Sequence, residues 1–214
     1  MTYIAIILLL IAGITKEKLL LFLSFGYIIA YIFIKGKKLF EDLTVEEIVL
    51  IAILSSIAGV TRVPFSSIPS FQPTTAIIII TGIVYGKKIG FITGTIAALV
   101  SNMFLGQGPW TPWQMVAWGM CGYFASYLNI KAKYIVYTYG FVSGVLFGWF
   151  MNLWHIIGFV EVINIKSIML SYISSFAFDV THGVGNVMFL TFLIPTLYKF
   201  LNRIKIKYNI LAYS

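Results

Sequence analysis

Gly106-Gln-Gly-Pro-Trp-Thr-Pro-Trp-Gln114 lies between two long apolar runs, and its reading decides what kind of protein this is. Pro109 and Pro112 stiffen the backbone. Gly106 and Gly108 permit turns that other residues resist. Trp110 and Trp113 offer flat apolar faces with one donor each, and Gln107 and Gln114 add donors and acceptors. These are the materials of a rigid lid over an organic ligand. They also suit a tight turn in an interfacial aromatic belt. The rest of the chain has to separate the two readings.

Of 214 residues, 60% are hydrophobic and only 10% charged, against roughly 25% charged in a soluble domain. Mean hydropathy is +0.96. Apolar runs recur from end to end without the alternation of an outer-membrane barrel, so the composition implies an all-α integral membrane protein. The formal charge of +8 is dealt out in short clusters between the runs, which is how topology is written and not how a nucleic-acid surface is made. Cys121 is the single cysteine, which excludes an intramolecular disulfide and a thiolate metal cluster. The first run lacks a basic start and a small-residue cleavage site, so no cleavable leader is expected.

Six spans are expected, at 44–61, 74–86, 89–105, 113–130, 134–156 and 173–199. Two shorter apolar runs, 2–15 and 19–34, precede them as an N-terminal hydrophobic hairpin over 1–38. The six-helix membrane domain then covers 39–214. Basic clusters at Lys35, Lys37 and Lys38, at Lys87 and Lys88, at Lys131 and Lys133, and at Lys199, Arg203, Lys205 and Lys207 fall on every second loop. The positive-inside rule puts these loops and both termini in the cytoplasm, in the cell membrane, and the tryptophan-rich loop outside. Small residues recur at four-residue spacing in Gly82/Gly86, Gly90/Gly94/Ala98 and Gly140/Gly144/Gly148, faces that let helices approach closely.

The few polar residues inside the spans share one level. At about 1.5 Å rise per residue, Asn102 lies roughly 21 Å above Lys88 and Asn152 roughly 28 Å above Lys133. Asn186, His182 and Asp179 lie roughly 20 to 30 Å above Lys199. Asn152 and His155, three apart, share a helix face, as do Asp179, His182 and Asn186. Gln114 and Trp118 start their helix from the same side, where Arg62 ends another. Such stripes face the protein or a water-filled cavity. The expected outer pocket therefore draws on Arg62, Gln72, Asn102, Gln107, Trp110, Trp113, Gln114, Trp118, Asn152, His155, Asp179, His182 and Asn186. Each has a plainer role open to it: Asp179 pairing with Arg62, His182 as a packing histidine, Asn102 capping its helix.

No phosphate-binding Gly-x-x-x-x-Gly-Lys-Ser/Thr loop, His-Glu-x-x-His or Gly-x-Ser-x-Gly motif occurs. Asp-x-x-His over Asp179 and His182 is too weak a pattern to specify a metal, and no cofactor is expected. The two residues could instead serve acid–base chemistry in an intramembrane enzyme. A structural or chaperone subunit without a ligand is a third reading. Thr44 and Glu47 read as a capping box at a helix start.

Several stretches resemble the substrate-binding S component of energy-coupling factor (ECF) vitamin transporters. Ile68-Pro-Ser-Phe-Gln-Pro-Thr-Thr-Ala76 resembles the first outer loop, and residues 97–119 resemble a branch that includes cobalamin S components. Phe178-Asp-Val-Thr-His-Gly-Val-Gly-Asn186 is similar to the final-helix motif of that branch. The resemblance implies six helices with an outward pocket, no ATPase of its own, and delivery by tilting when ATPases drive a scaffold subunit. It favours cobalamin or a related compound, with riboflavin or a queuosine precursor as alternatives. It also implies docking on the scaffold through an Ala-x-x-x-Ala face, matched by Ala52 and Ser56 with Gly59 following.

Overall fold

The structure is a computed structural model and describes residues 43–210; the expected N-terminal hairpin lies outside them. Those residues are helical, joined by short turns. Helix α1, Val45–Val60, opens on the expected capping box: Thr44 Oγ1 accepts from Glu47 N, and Glu47 Oε2 accepts from Thr44 N at 3.0 Å. A 3₁₀ turn, Val63–Phe65, follows, and Pro64 suits its first turn. Helix α2 spans Thr74–Leu105, α3 Thr111–Ala125, α4 Lys133–Phe159 and α5 Ile165–Leu193. At Pro195 the last helix widens into a π turn, Ile194–Tyr198, and continues as α6, Lys199–Lys207. Proline removes a ladder donor and crowds the preceding turn, which such a widening relieves.

α2 is two helical arms joined at a break. Gly86 adopts φ 83° and ψ 179°, a conformation open in practice only to glycine. A straight helix would separate Gly82 and Gly90 by about 12 Å. Instead a Cβ built on Gly90 would stand 2.8 Å from Gly82 Cα. The chain therefore doubles back at Gly86, beside Lys87 and Lys88. Contacts with α1 agree. Thr74 Oγ1 donates to Ala58 O at 2.9 Å and Ser55 Oγ donates to Thr93 O at 3.3 Å, so one arm descends along α1 and the other ascends.

Among the described residues, four stretches are long and apolar enough to cross a membrane: Val45–Phe65, Thr74–Leu105, Lys133–Phe159 and Ile165–Lys207. The protein is thus an all-helical, multi-pass membrane protein, and the six expected spans are not six separate full-length helices. The expected 74–86 and 89–105 spans are arms of α2, and α3 has 15 residues, short of a full crossing. The last helix also begins earlier than the expected 173. Asn164 and Ser167 form a reciprocal cap, so Lys166 and its polar neighbours, which ended the apolar run, sit in the first helical turn.

The centre is packed backbone to backbone. The Gly122 carbonyl of α3 approaches both Gly82 and Gly90, and the Trp118 carbonyl approaches Gly94. Gly144 of α4 lies against Gly183 of α5. Any side chain at these glycines would collide with main chain, so members of all three expected small-residue faces pack helices.

Candidate functional site

A cavity of about 490 Å³ opens at the Arg62 end, between the 62–72 segment, α4 and α5. Its polar lining is Arg62, Ser66, Ser70, Gln72, Asn152, Ser175, Asp179 and His182; Phe65, Ile68, Leu105, Phe147 and Met151 are among the apolar residues. The lining is at least as polar as apolar, and convergent polar groups in one hollow are what orient a small molecule.

Arg62 stands just past the end of α1. Its Nε donates to Gln72 Oε1 at 2.7 Å, and its Nη1 donates to Ser101 Oγ at 3.1 Å and Asn102 Oδ1 at 3.0 Å. The guanidinium also lies over the Trp118 ring, 5.2 Å from its centroid. Asn102 Nδ2 in turn donates to Thr111 Oγ1 at 2.9 Å and Gln114 Oε1 at 2.7 Å. Both donors of Asn102 are then committed, and its oxygen accepts from Arg62 and Ser101. Asn102 and Gln114 are buried behind Arg62 and orient it. The helix-capping alternative for the Asn102 side chain is not what forms.

The tryptophan-rich loop folds on itself. Thr111 Oγ1 donates to Gln107 Oε1 at 3.0 Å, Gln107 Nε2 donates to Leu99 O at 2.9 Å, and Gly108 N donates to Thr111 Oγ1 at 3.2 Å. Trp110 meets Trp154 edge-on at 6.0 Å, and Trp113 packs on Phe150 at 5.1 Å. Gln107, Trp110 and Trp113 thus tie the loop to α2 and α4, and none of the three is in the cavity lining.

His182 sits deepest, on a relay from the core. Trp118 Nε1 donates to Thr75 Oγ1 at 3.0 Å, and Thr75 Oγ1 lies 2.9 Å from His182 Nε2. Thr75 accepts from Trp118 and has no other acceptor than Nε2 for its own proton among the described residues, which favours the tautomer with the ring proton on Nδ1. Phe147 closes this corner, edge-on to His182 at 5.1 Å and tilted on Trp118 at 4.8 Å.

Across the cavity, Asn152 Nδ2 donates to Ser175 Oγ at 2.6 Å and Ser175 Oγ donates to Asp179 Oδ2 at 2.9 Å. Asp179 is 4% exposed and makes no ion pair with Arg62 among the described residues. Its Oδ1 lies over Gly148, where a side chain would overlap it. The four-residue glycine spacing on α4 therefore serves two ends: Gly144 packs a helix, and Gly148 makes room for a carboxylate.

Two expected residues lie apart. His155 is exposed and stacked on Phe159 at 5.8 Å, because i and i+3 diverge enough for Asn152 to turn inward while His155 does not. Asn186 is fully buried, and its Nδ2 donates to Gly140 O at 2.9 Å, bracing α4 against α5. On α1, Ala52 and Ser56 are exposed on one face, whereas Gly59 turns inward against Val100. Sequence reasoning missed Thr75, Ser101, Ser175, Phe147 and Gly148. Only Ser175 carried a signal, one helical turn before Asp179. Among the described residues, no group of three His, Cys, Asp or Glu side chains is placed to hold a metal ion.

Residues 42–203 match the family model described as ECF-type riboflavin transporter, S component. A stretch of 77 residues, 34% of this chain, is 32% identical to UPF0397 proteins of Aliivibrio fischeri (strain MJ11) and Aliivibrio salmonicida (strain LFI1238). A UPF0397 protein of Vibrio atlanticus (strain LGP32) is 29% identical over the same length. The chain spans 42% of the length of these curated relatives. No solved structure matches it.

Proposed function

Because the chain belongs to the ECF-type riboflavin transporter S-component family, we propose that it is the substrate-specific membrane subunit of an ECF-type importer. It binds a vitamin-like heteroaromatic compound at the outer side and hands it inward. The observation that carries this reading is the cavity itself, where Arg62 and Gln72 from one side meet Asp179, Asn152 and His182 from the other. Its volume of about 490 Å³ suits a bicyclic or tricyclic ring system. A cobalamin, with its corrin macrocycle and nucleotide arm, exceeds it. Size and family together favour a ligand of flavin scale over the cobalamin suggested by the sequence motifs.

In this proposal the arms of α2 each cross the bilayer and α3 crosses with its flanking turns, giving six crossings in the cytoplasmic membrane. The lysine-rich turns face the cytoplasm. A cysteine replacing Gln107, in a background lacking Cys121, is then expected to react with an impermeant thiol reagent outside cells, and one replacing Lys131 or Lys133 is not. Equal labelling would remove the outward pocket.

A scaffold subunit and two ATPases complete the importer. The scaffold meets the exposed small-residue face at Ala52 and Ser56, where flatness lets helices close on one another. The deciding experiment pairs two measurements on the wild type and Ser56→Leu: ligand binding in detergent, and ATP-driven uptake in vesicles containing scaffold and ATPases. The wild type is expected to do both, and the variant to bind but not accumulate. Accumulation by the isolated chain with ATP alone would overturn the assignment.

A further inference from the structure

Asp179 is an incomplete partner in an otherwise connected site. It is 4% exposed, lines the cavity, and receives one hydrogen bond from the side chains around it, from Ser175 to Oδ2. Asn152 Nδ2 donates to Ser175 Oγ, and of the two acceptors within reach of the single Ser175 proton, Asp179 Oδ2 at 2.9 Å is nearer than Tyr172 O at 3.2 Å. The carboxylate is therefore the acceptor at the end of this chain. Oδ1 has no hydrogen bond among the described residues and is kept uncovered by the missing side chain of Gly148. A buried carboxylate with an unused oxygen calls for donors from elsewhere.

The charge of the cavity limits what can supply them. Arg62 faces the same space without an acidic partner among the described residues, so a cationic ligand is repelled, while Asp179 itself repels an anion. A neutral ligand with donors at one end and an acceptor at the other fits both. Arg62 Nη2 makes no hydrogen bond among the described residues, and His182 Nδ1–H is left over by the Thr75 relay, so the acceptor has donors to meet. Resting on the ligand-binding role above, we propose that the substrate carries a 2-amino-4-oxopyrimidine edge. Its ring N–H and exocyclic amino group sit on Asp179, and its carbonyl turns toward Arg62 or His182. A carboxylate takes two adjacent N–H donors in one plane, as it does a guanidinium fork. A uracil-type edge, with carbonyls on both sides of one N–H, brings oxygen lone pairs against the carboxylate.

Pterin and lumazine test this directly, because they share one bicyclic ring and differ in carrying an amino group or an oxygen at C2. Binding of each, and of riboflavin, is titrated by calorimetry and tryptophan quenching on the purified full chain. The expected result is that pterin binds at least about tenfold tighter than lumazine, the equivalent of one good hydrogen bond to a charged group. Asp179→Asn, which can no longer accept two donors, is expected to lose that preference. Lumazine or riboflavin binding as tightly as pterin to the wild type overturns the substrate class and leaves the receptor reading standing, and so does a preference that survives in Asp179→Asn. Failure of all three ring compounds to bind overturns both.

Discussion

The α1–α2–α3 side of the cavity and the α4–α5 side are held by different means. On the first, Arg62 is fixed through Asn102, Ser101 and Gln72, and Asn102 through Thr111 and Gln114. The helices beneath touch through glycine backbones at Gly82, Gly90, Gly94 and Gly122, a denser set than the single Gly144–Gly183 contact between α4 and α5. On the second, Asp179 depends on one short chain through Ser175 and Asn152. Burial sets α2 apart from the rest: its most apolar window is 72% buried, against 33% for the stretch containing α1, 22% for α4 and 28% for the stretch that begins with α5. α2 is the spine, and the opposite wall turns most of its surface outward, to lipid in a membrane. One wall is thus over-determined and presents a set cation. The other can shift on its neighbours and carries the group left for the ligand to complete.

The sharpest way to break this contrast is to force the backbone contacts apart. Gly122→Val drives a side chain into the Gly90 carbonyl and Ile78 and is expected to cost about 3 kcal/mol or more. Gly158→Val on α4, with nothing within 4 Å, is expected to stay within about 0.5 kcal/mol. Thermal unfolding in detergent compares them, and similar losses would erase the distinction. A smaller effect is expected from Asn102→Ala, which strands Arg62 and Gln114 and lowers stability by about 2 kcal/mol while weakening ligand binding. Asn152→Ala on the other wall is expected to cost about half as much stability, so the reverse order would argue against a rigid first wall. Trp118→Phe keeps a ring beneath Arg62 but loses the bond to Thr75, an expected stability loss of about 1 kcal/mol. The part of the ligand-induced fluorescence change that this variant abolishes measures how closely the ligand approaches the relay. Least is expected of Asn186→Leu. Asn186 Oδ1 is buried without a partner among the described residues, and the residue is outside the cavity. Ligand affinity is expected to hold and stability to move by less than about 1 kcal/mol. A tenfold loss of affinity would bring Asn186 into the site.

The level of the site was legible in the sequence because rise per residue converts position into depth, and buried polar residues are rare enough in apolar runs to stand out. Arg62, Asn152, Asp179 and His182 were singled out that way and line the cavity; Gln72, in the loop, also lines it but was not placed by depth. Facing was less legible. Asn152 and His155 share a helical stripe, yet one faces the cavity and the other is exposed, since a stripe fixes relative and not absolute direction. Hydroxyls were hardly legible: Ser175 carried only its place one helical turn before Asp179, and Thr75 looks like an ordinary member of an apolar helix until tertiary packing brings His182 to it. The quoted tryptophan loop pointed to the right end of the molecule, though its rings brace the wall and do not line the cavity. The helix starting at Ile165 was missed because hydropathy stops at Lys166, while capping is set by Asn164 and Ser167.

The turn at Gly86 has a further consequence. Lys205 Nζ donates to Val84 O at 2.7 Å and Tyr85 Oη donates to Leu201 O at 2.8 Å, across 121 and 116 residues. The carbonyl end of the descending arm is thus finished by an ammonium from α6, a favourable place for a cation. During synthesis, both arms of α2 are complete long before Lys205 exists. The hairpin waits with its clasp open until the segment carrying Lys205 has been made and has packed against it.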